Sequence, residues 1–236
     1  MPLTHIEPRR LYRQIAEQIR GLITSGEYSA GARLPPERDL AKQLRVSRPS
    51  VREALIALEV EGLVEVRVGS GIYIRVQPHG AANGSGHARI TQQSGPFEVI
   101  RARRAIEGEC AALAAKEGKR AQVVAIGEAL AQMKDDATNM AQPLEADRLF
   151  HLRIAEATNN GALVQVVKNL WDERGSPLFT QLEHHFDTPK DWAKAIDEHD
   201  AVIKAVKSRD PDAARVSMHA HLDGAAKRLS RSWDGK

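Results

Sequence analysis

Between Ser47 and Val76 the apolar residues change their period, and that change leaves the chain few folds to choose from. Val51, Leu55 and Leu58 stand four and three apart, which marks one face of a helix. Val64, Val66 and Val68 then alternate with other residues, Gly69-Ser70-Gly71 supplies a turn, and Ile72, Ile74 and Val76 alternate back. The helix has Ser47 to cap it, Pro49 in its first turn and Gly62 to end it. The segment after it reads as a two-stranded hairpin. Upstream, Pro35-Pro36 opens a short helix carrying Leu40 and Ala41, which meets the longer one across a tight turn at Leu44-Arg45-Val46. A first helix shows Leu11, Ile15, Ile19 and Leu22 before stopping near Ser25-Gly26. Residues 1–76 are therefore expected to form a winged helix-turn-helix.

The rest of the chain has another pattern. From residue 77 to 95 the sequence is rich in Gly, Ser, Asn and Gln without apolar periodicity, as a linker would be. Residues 96–236 read as helices throughout, with approximate spans 97–118, 120–138, 142–158, 161–182, 191–208 and 210–231. Short connections between them imply an antiparallel bundle, so the expected fold class is mostly α: a winged helix-turn-helix followed by an all-helical bundle. The single cysteine, Cys110, excludes an internal disulfide framework and fits a reducing cytoplasm. It falls on an apolar helical face, where an inert buried thiol is expected. No apolar run is long enough to span a bilayer, and Met1 to Arg10 carries no signal-peptide core.

Charge separates the two parts again. Residues 1–76 hold 12 Lys and Arg against 9 Asp and Glu, whereas the remaining residues hold 22 of each. The basic excess lies in the part expected to meet nucleic acid. On the third helix Arg48 and Arg52 are one turn apart, and are expected on one exposed face at the end that enters a major groove. An arginine fork suits a guanine edge or a phosphate. Ser47 and Ser50 can bond phosphates beside it, Arg38 lies in the second helix near the groove wall, and the wing tip from Gly69 to Gly71 lacks bulk. The run LPPERDLAKQLRVSRPSVREALIALEVEGLVEVRVGSGIYI resembles the DNA-binding domain of the GntR family of regulators, over residues 9–76. The resemblance implies that Arg38, Arg48, Arg52 and Gly69 contact DNA. Val68 stands where some members carry a polar or basic residue, so no contact from that side chain is expected.

In the bundle, polar residues sit in the middle of apolar stripes. Asp147 and His151 lie four apart among Leu144, Ile154 and Thr158. His199 lies among Trp192, Ile196, Ile203 and Val206, and His221 among Ala214, Met218, Ala225 and Leu229. A buried imidazole or carboxylate needs partners. Three histidines and an aspartate in one core are best explained by a shared divalent cation, with zinc first and nickel, cobalt, manganese or iron as alternatives. A buried polar network without metal is the competing explanation. His184 and His185 have no stripe to bury them, and His219 points away from His221. Arg103 faces inward among Ile100, Ile106, Cys110 and Leu113, either pairing with Glu107 or serving an anionic ligand.

Residues 97–231 resemble the FCD effector-binding domain of the FadR subfamily of GntR regulators, on the motifs RARRAIE, ADRLFHLRIAEATNN, DEHDAVIKAV and MHAHL. The resemblance implies that Asp147, His151, His199 and His221 bind a metal, that Arg103 faces the effector, and that Asn160 falls at a pocket position. Arg101 stands where an acidic residue is frequent, and an acyl-CoA ligand is not implied, because the fatty-acid regulator lacks this metal set. The expectation is a ligand-responsive transcription regulator and not an enzyme. It would bind double-stranded operator DNA as a cytoplasmic homodimer, without membrane association, and sense a small organic acid. The alternatives are a sensor for which the divalent cation is itself the signal, and a metal-dependent hydrolase joined to a DNA-binding module. A fused aminotransferase-like domain is excluded, because the chain is too short and too helical.

Overall fold

The computed structural model describes residues 10–75 and 93–231. Val76 and residues 77–92 of the expected linker lie outside the described residues. The chain divides into two compact units, with the boundary between Gly95 and Pro96.

Among the described residues the first unit holds three helices and a hairpin: α1 (Leu11–Thr24), α2 (Glu37–Leu44), α3 (Arg48–Val60), β1 (Val64–Arg67) and β2 (Gly71–Ile74). The strands pair antiparallel with Val64 opposite Ile74 and Val66 opposite Ile72, which puts all four side chains into the core. Arg33 adds a bridge to Tyr73, and Leu34 donates its backbone N–H to Ile72 at 2.8 Å. The turn between α2 and α3 is set by Arg45, whose φ of 54° is left-handed, and by Val46 donating back to the Ala41 carbonyl at 3.0 Å. Ser47 caps α3 by accepting from the Ser50 N–H. Val51, Leu55 and Leu58 are fully buried, as their spacing demands. On α1 the buried face is Tyr12, Ile15, Ala16 and Ile19 rather than one including Leu11, which is half exposed. Tyr12 supplies the larger apolar surface one position along.

The second unit is helical: α4 (Pro96–Glu117), α5 (Arg120–Thr138), α6 (Leu144–Glu156), α7 (Gly161–Asp172), α8 (Pro177–Phe186), α9 (Pro189–Lys207) and α10 (Pro211–Leu229). One expected helix is in fact two. The span 161–182 breaks at a short 3₁₀ turn, Glu173–Gly175, after which Ser176 caps a new helix beginning with Pro177. Proline has no N–H to give and its ring clashes with the preceding turn, so α7 cannot run through it. The core gathers Cys110, Ala111 and Ala114 of α4, Ile126 and Met133 of α5, Phe150 and Ile154 of α6, Val202 and Val206 of α9, and Met218 and Leu222 of α10. Alanines on α4 let α10 and α6 approach closely, which is what brings side chains of α6, α9 and α10 to one point. Among the described residues no helix is long and apolar enough to cross a membrane.

Candidate functional site

Asp147, His151, His199 and His221 meet inside the second unit, each offering one ligand atom, with all four atoms within 4.8 Å of one another. All four residues are buried. His151 lies one turn after Asp147 on α6, and α9 and α10 each contribute one histidine. The outer nitrogens decide what the inner ones can do. His151 Nδ1 lies against the Glu107 carboxylate, His199 Nδ1 lies 2.6 Å from the Ala195 carbonyl, and His221 Nδ1 lies 3.1 Å from Glu198 Oε2. Each of those partners only accepts, so each neutral ring carries its hydrogen on Nδ1 and presents a lone pair at Nε2.

Those lone pairs converge. His151 Nε2 and His199 Nε2 stand 3.2 Å apart, and His199 Nε2 stands 3.0 Å from Asp147 Oδ1. Among the described residues Asp147 Oδ1 is buried without a hydrogen-bond donor, while its Oδ2 accepts from Arg174 Nη1 at 2.7 Å. Electron-pair donors crowded together with no proton between them repel unless a cation sits among them. Three nitrogens and one oxygen suit a borderline divalent ion. The donor set therefore fits the expected metal. Burial disfavours the charge on Asp147, but the closeness of His151 and His199 and the charge of Arg174 hold its carboxyl well below the usual range. Burial, together with the neighbouring His199 and His151, holds His221 well below its ordinary value and so keeps it neutral.

A second layer surrounds the cluster. Burial works against ionised Glu107, yet Arg103 and His151 bring its carboxyl down to about 2. Arg103 donates Nε to Glu107 at 2.7 Å and stacks 4.0 Å over the Trp171 ring. Arg174 donates Nε to Glu183 and Nη1 to Asp147, and also lies over Trp171. Both pairing and anion service thus remain open to Arg103, since its Nη1 has no partner among the described residues. The same holds for Nη2 of Arg174.

These guanidinium groups line a cavity of about 50 Å³ that also takes in Asp147 and His221. By volume it holds roughly three or four waters, so a ligand there is small. Glu183, Asp187, Asp191, Trp192 and Arg228 complete the polar part of its wall. Asp187 makes no side-chain hydrogen bond among the described residues, and burial beside Glu183 pushes its carboxyl up to about 6. Asn160 does not line this cavity. It is exposed and caps α7, accepting from the N–H groups of Ala162 and Leu163, so its carbonyl is already engaged. Sequence reasoning missed Arg174, Glu183 and Glu198. Arg174 fell inside the helix expected over 161–182, and the signal that would have exposed it is the Ser176-Pro177 pair. Exposed His184 and half-buried His185 and His219 lie outside the cluster.

In the first unit the expected nucleic-acid residues gather at the turn and the start of α3. Ser47 and Ser50 bond each other through their hydroxyls at 2.8 Å, and the Arg38 side chain is 81% exposed. Gly69 holds a φ of 80° in the wing turn, a conformation that favours glycine. Arg48 is exposed, but Arg52 is not. The expected shared exposed face is corrected here: the Arg52 side chain is 1% exposed, tied to Glu37 of α2. Helical spacing puts Arg52 below Arg48, and the docking of α2 covers that level of the face.

Sequence comparison now adds to this geometry. Residues 11–74 match the family described as bacterial regulatory proteins, gntR family, and residues 98–224 match the FCD domain. The chain belongs to the GntR family of bacterial transcription regulators. It is 37% identical to the Uxu operon transcriptional regulator of Escherichia coli K12, over 94% of this chain and 87% of that one. It is 38% identical to the Exu regulon transcriptional regulator of the same organism, over 92% and 83%. The fold of this GntR regulator is similar to a solved Streptococcus agalactiae GntR structure, with a TM-score of 0.50, 24% identity and coverage of 92% and 99%. In this GntR-family chain the helix-turn-helix and wing are the DNA-binding part, and the bundle is the FCD effector domain.

Proposed function

We propose that this regulator binds its operator through residues 1–76, is joined by residues 77–95 to an effector domain over 96–236, and senses a small carboxylate beside a divalent metal. Asp147, His151, His199 and His221 are the metal's ligands in this reading. The observation that carries it is the meeting of four electron-pair donors whose outer atoms are already committed. A bound divalent ion, zinc or another of the first-row series, supplies a Lewis-acidic positive charge at the cavity wall. The chain's own residues do the rest. Arg103 Nη1 and Arg174 Nη2 offer hydrogens to an anion, and Trp171 fixes both guanidinium planes. Asp187 offers an acceptor to a hydroxyl on the same small ligand.

Arg38, Ser47, Arg48, Ser50 and Gly69 are the DNA-contacting residues, and Arg52 supports them from beneath through Glu37. The regulator acts in the cytoplasm as a homodimer, where two half-sites at fixed spacing make affinity sensitive to any change in domain spacing. It is a regulator and not an enzyme: Glu107, the carboxylate nearest the cluster, is spent on His151 and Arg103 and is not free to move protons. The adjoining cavity favours an organic effector over the metal as the signal.

Two measurements test this reading. Elemental analysis of the purified chain is expected to find about one divalent metal per chain. Calorimetry of a panel of small carboxylic and hydroxycarboxylic acids, with and without operator duplex, is expected to give affinities that differ by about 5- to 150-fold. A metal-free chain, or an effector that binds equally well with and without DNA, overturns it.

A further inference from the structure

One buried carboxylate in the DNA-binding unit holds both arginines of the reading helix. Glu37 stands at the start of α2, with its side chain 6% exposed. Its Oε2 accepts from Arg52 Nε at 2.9 Å and Arg52 Nη2 at 2.5 Å, and its Oε1 accepts from Arg48 Nε at 3.1 Å. Arg48 is the first residue of α3 and Arg52 lies one turn on. The bridge therefore crosses the turn and fixes the end of the helix that faces DNA.

The two arginines are held differently. Arg52 is closed in, and burial lowers its pKa against the pull of Glu37. Arg48 is tied by Nε alone, while its Nη1 and Nη2 make no bond among the described residues and 47% of its side chain is exposed. A guanidinium pinned at Nε keeps its terminal nitrogens as a fork in a fixed plane, which is the group that meets O6 and N7 of a guanine. Arg38 makes the contrast. Among the described residues its side chain bonds only Asp39, at 3.5 Å, so as a phosphate contact it is an unrestrained charge.

Glu37 also sets charge. Its carboxylate offsets one of two cations at a surface that approaches phosphates, and phosphate attraction is the part of binding that ignores sequence. We propose that Glu37 is a specificity-determining positioning residue, which pins Arg48 as a preset fork for base reading while lowering the sequence-blind attraction to DNA. It rests on the reading of Arg48 as a DNA contact.

The test uses the full-length chain and a duplex enriched by it from a random-sequence library, against a scrambled duplex of equal length. Glu37→Gln is expected to bind the scrambled duplex several-fold tighter, with a salt slope steeper by about one, while the ratio of enriched to scrambled affinity falls about tenfold. Glu37→Asp, which keeps the charge on a shorter stem, is expected to restore the salt slope but not the ratio. Because Glu37→Gln strands a buried arginine and can unfold the unit, the decisive comparison is Arg52→Met against Arg52→Met with Glu37→Gln, where no buried charge is left alone. The added Glu37→Gln is expected to lower the ratio a further tenfold or so. An unchanged ratio between those two variants overturns the role of Glu37. A ratio unchanged in Arg48→Ala overturns the reading of Arg48, and the proposal with it.

Discussion

The two units treat buried charge in opposite ways. In the DNA-binding unit, one carboxylate, Glu37, is shared by two arginines, so cation exceeds anion at the start of α3. In the effector domain, three imidazoles and Asp147 gather around one point with their Nε2 and Oδ1 atoms facing one another. Among the described residues, the first arrangement leaves the two terminal nitrogens of Arg48 unbonded, on a side chain that is half exposed. The second has its outer atoms committed and its inner atoms facing one another, with Asp147 and His221 also bordering the cavity. In the proposed reading, the incomplete polar groups answer to what each unit would take up: an anionic surface from outside in one case, a cation at the centre in the other.

The comparison breaks most readily at the cluster. His199→Ala combined with His221→Ala leaves one imidazole and one carboxylate, and metal measured by elemental analysis should fall from about one per chain to near zero. Operator binding by the first unit should not require those histidines directly. Next in size, Arg48→Ala should weaken binding to a cognate operator by about 1–3 kcal/mol, read by fluorescence anisotropy, while Arg38→Ala weakens all sequences alike. Glu107→Gln sharpens the contrast between ligand and support. It leaves all four inner atoms in place but loosens His151, and metal affinity measured by competition with a chelator should drop about 10- to 100-fold.

The smallest effect comes from Asp187. Its carboxyl titrates at about 6 in the folded chain against 3.8 as its reference value. The folded state binds more protons between those values, so this group's contribution to stability falls as pH rises through that window. Asp187→Asn should therefore raise stability by about 1–2 kcal/mol above the folded value, and the gain should vanish below the reference value. Thermal unfolding across that range measures it, and a gain independent of pH would exclude titration of Asp187 as its source.

Much of this was legible in the sequence, and the reasons are specific. The turn and α3 could be read because Ser47, Pro49 and Gly62 are local signals, satisfied by backbone within a few residues. The gathering of four polar residues could be read because each sits in the centre of an apolar stripe, and a helix turns those stripes toward its neighbours. Arg52 escaped because spacing says which face a residue occupies, not what packs on that face. Its partner Glu37 lies on another helix, 15 residues away. Asn160 escaped for the opposite reason, since its capping role is local but it neighbours the α6 motif that drew attention to ligand binding. Arg174 depended on a helix break whose only mark is Ser176-Pro177.

The lone cysteine has a consequence beyond packing. Cys110 lies on α4 with no exposed surface, and burial together with Glu107 and Glu109 pushes its thiol up to about 12. A thiol in that state is almost wholly protonated and out of reach of any reagent, so modification must wait for the domain to open. With a single sulfhydryl in the chain, the rate of alkylation becomes a clock for opening, free of any second signal. Because its neighbour Glu107 also holds His151, the clock sits one residue contact from the cluster, and it should run faster in chain stripped of metal than in chain that holds it.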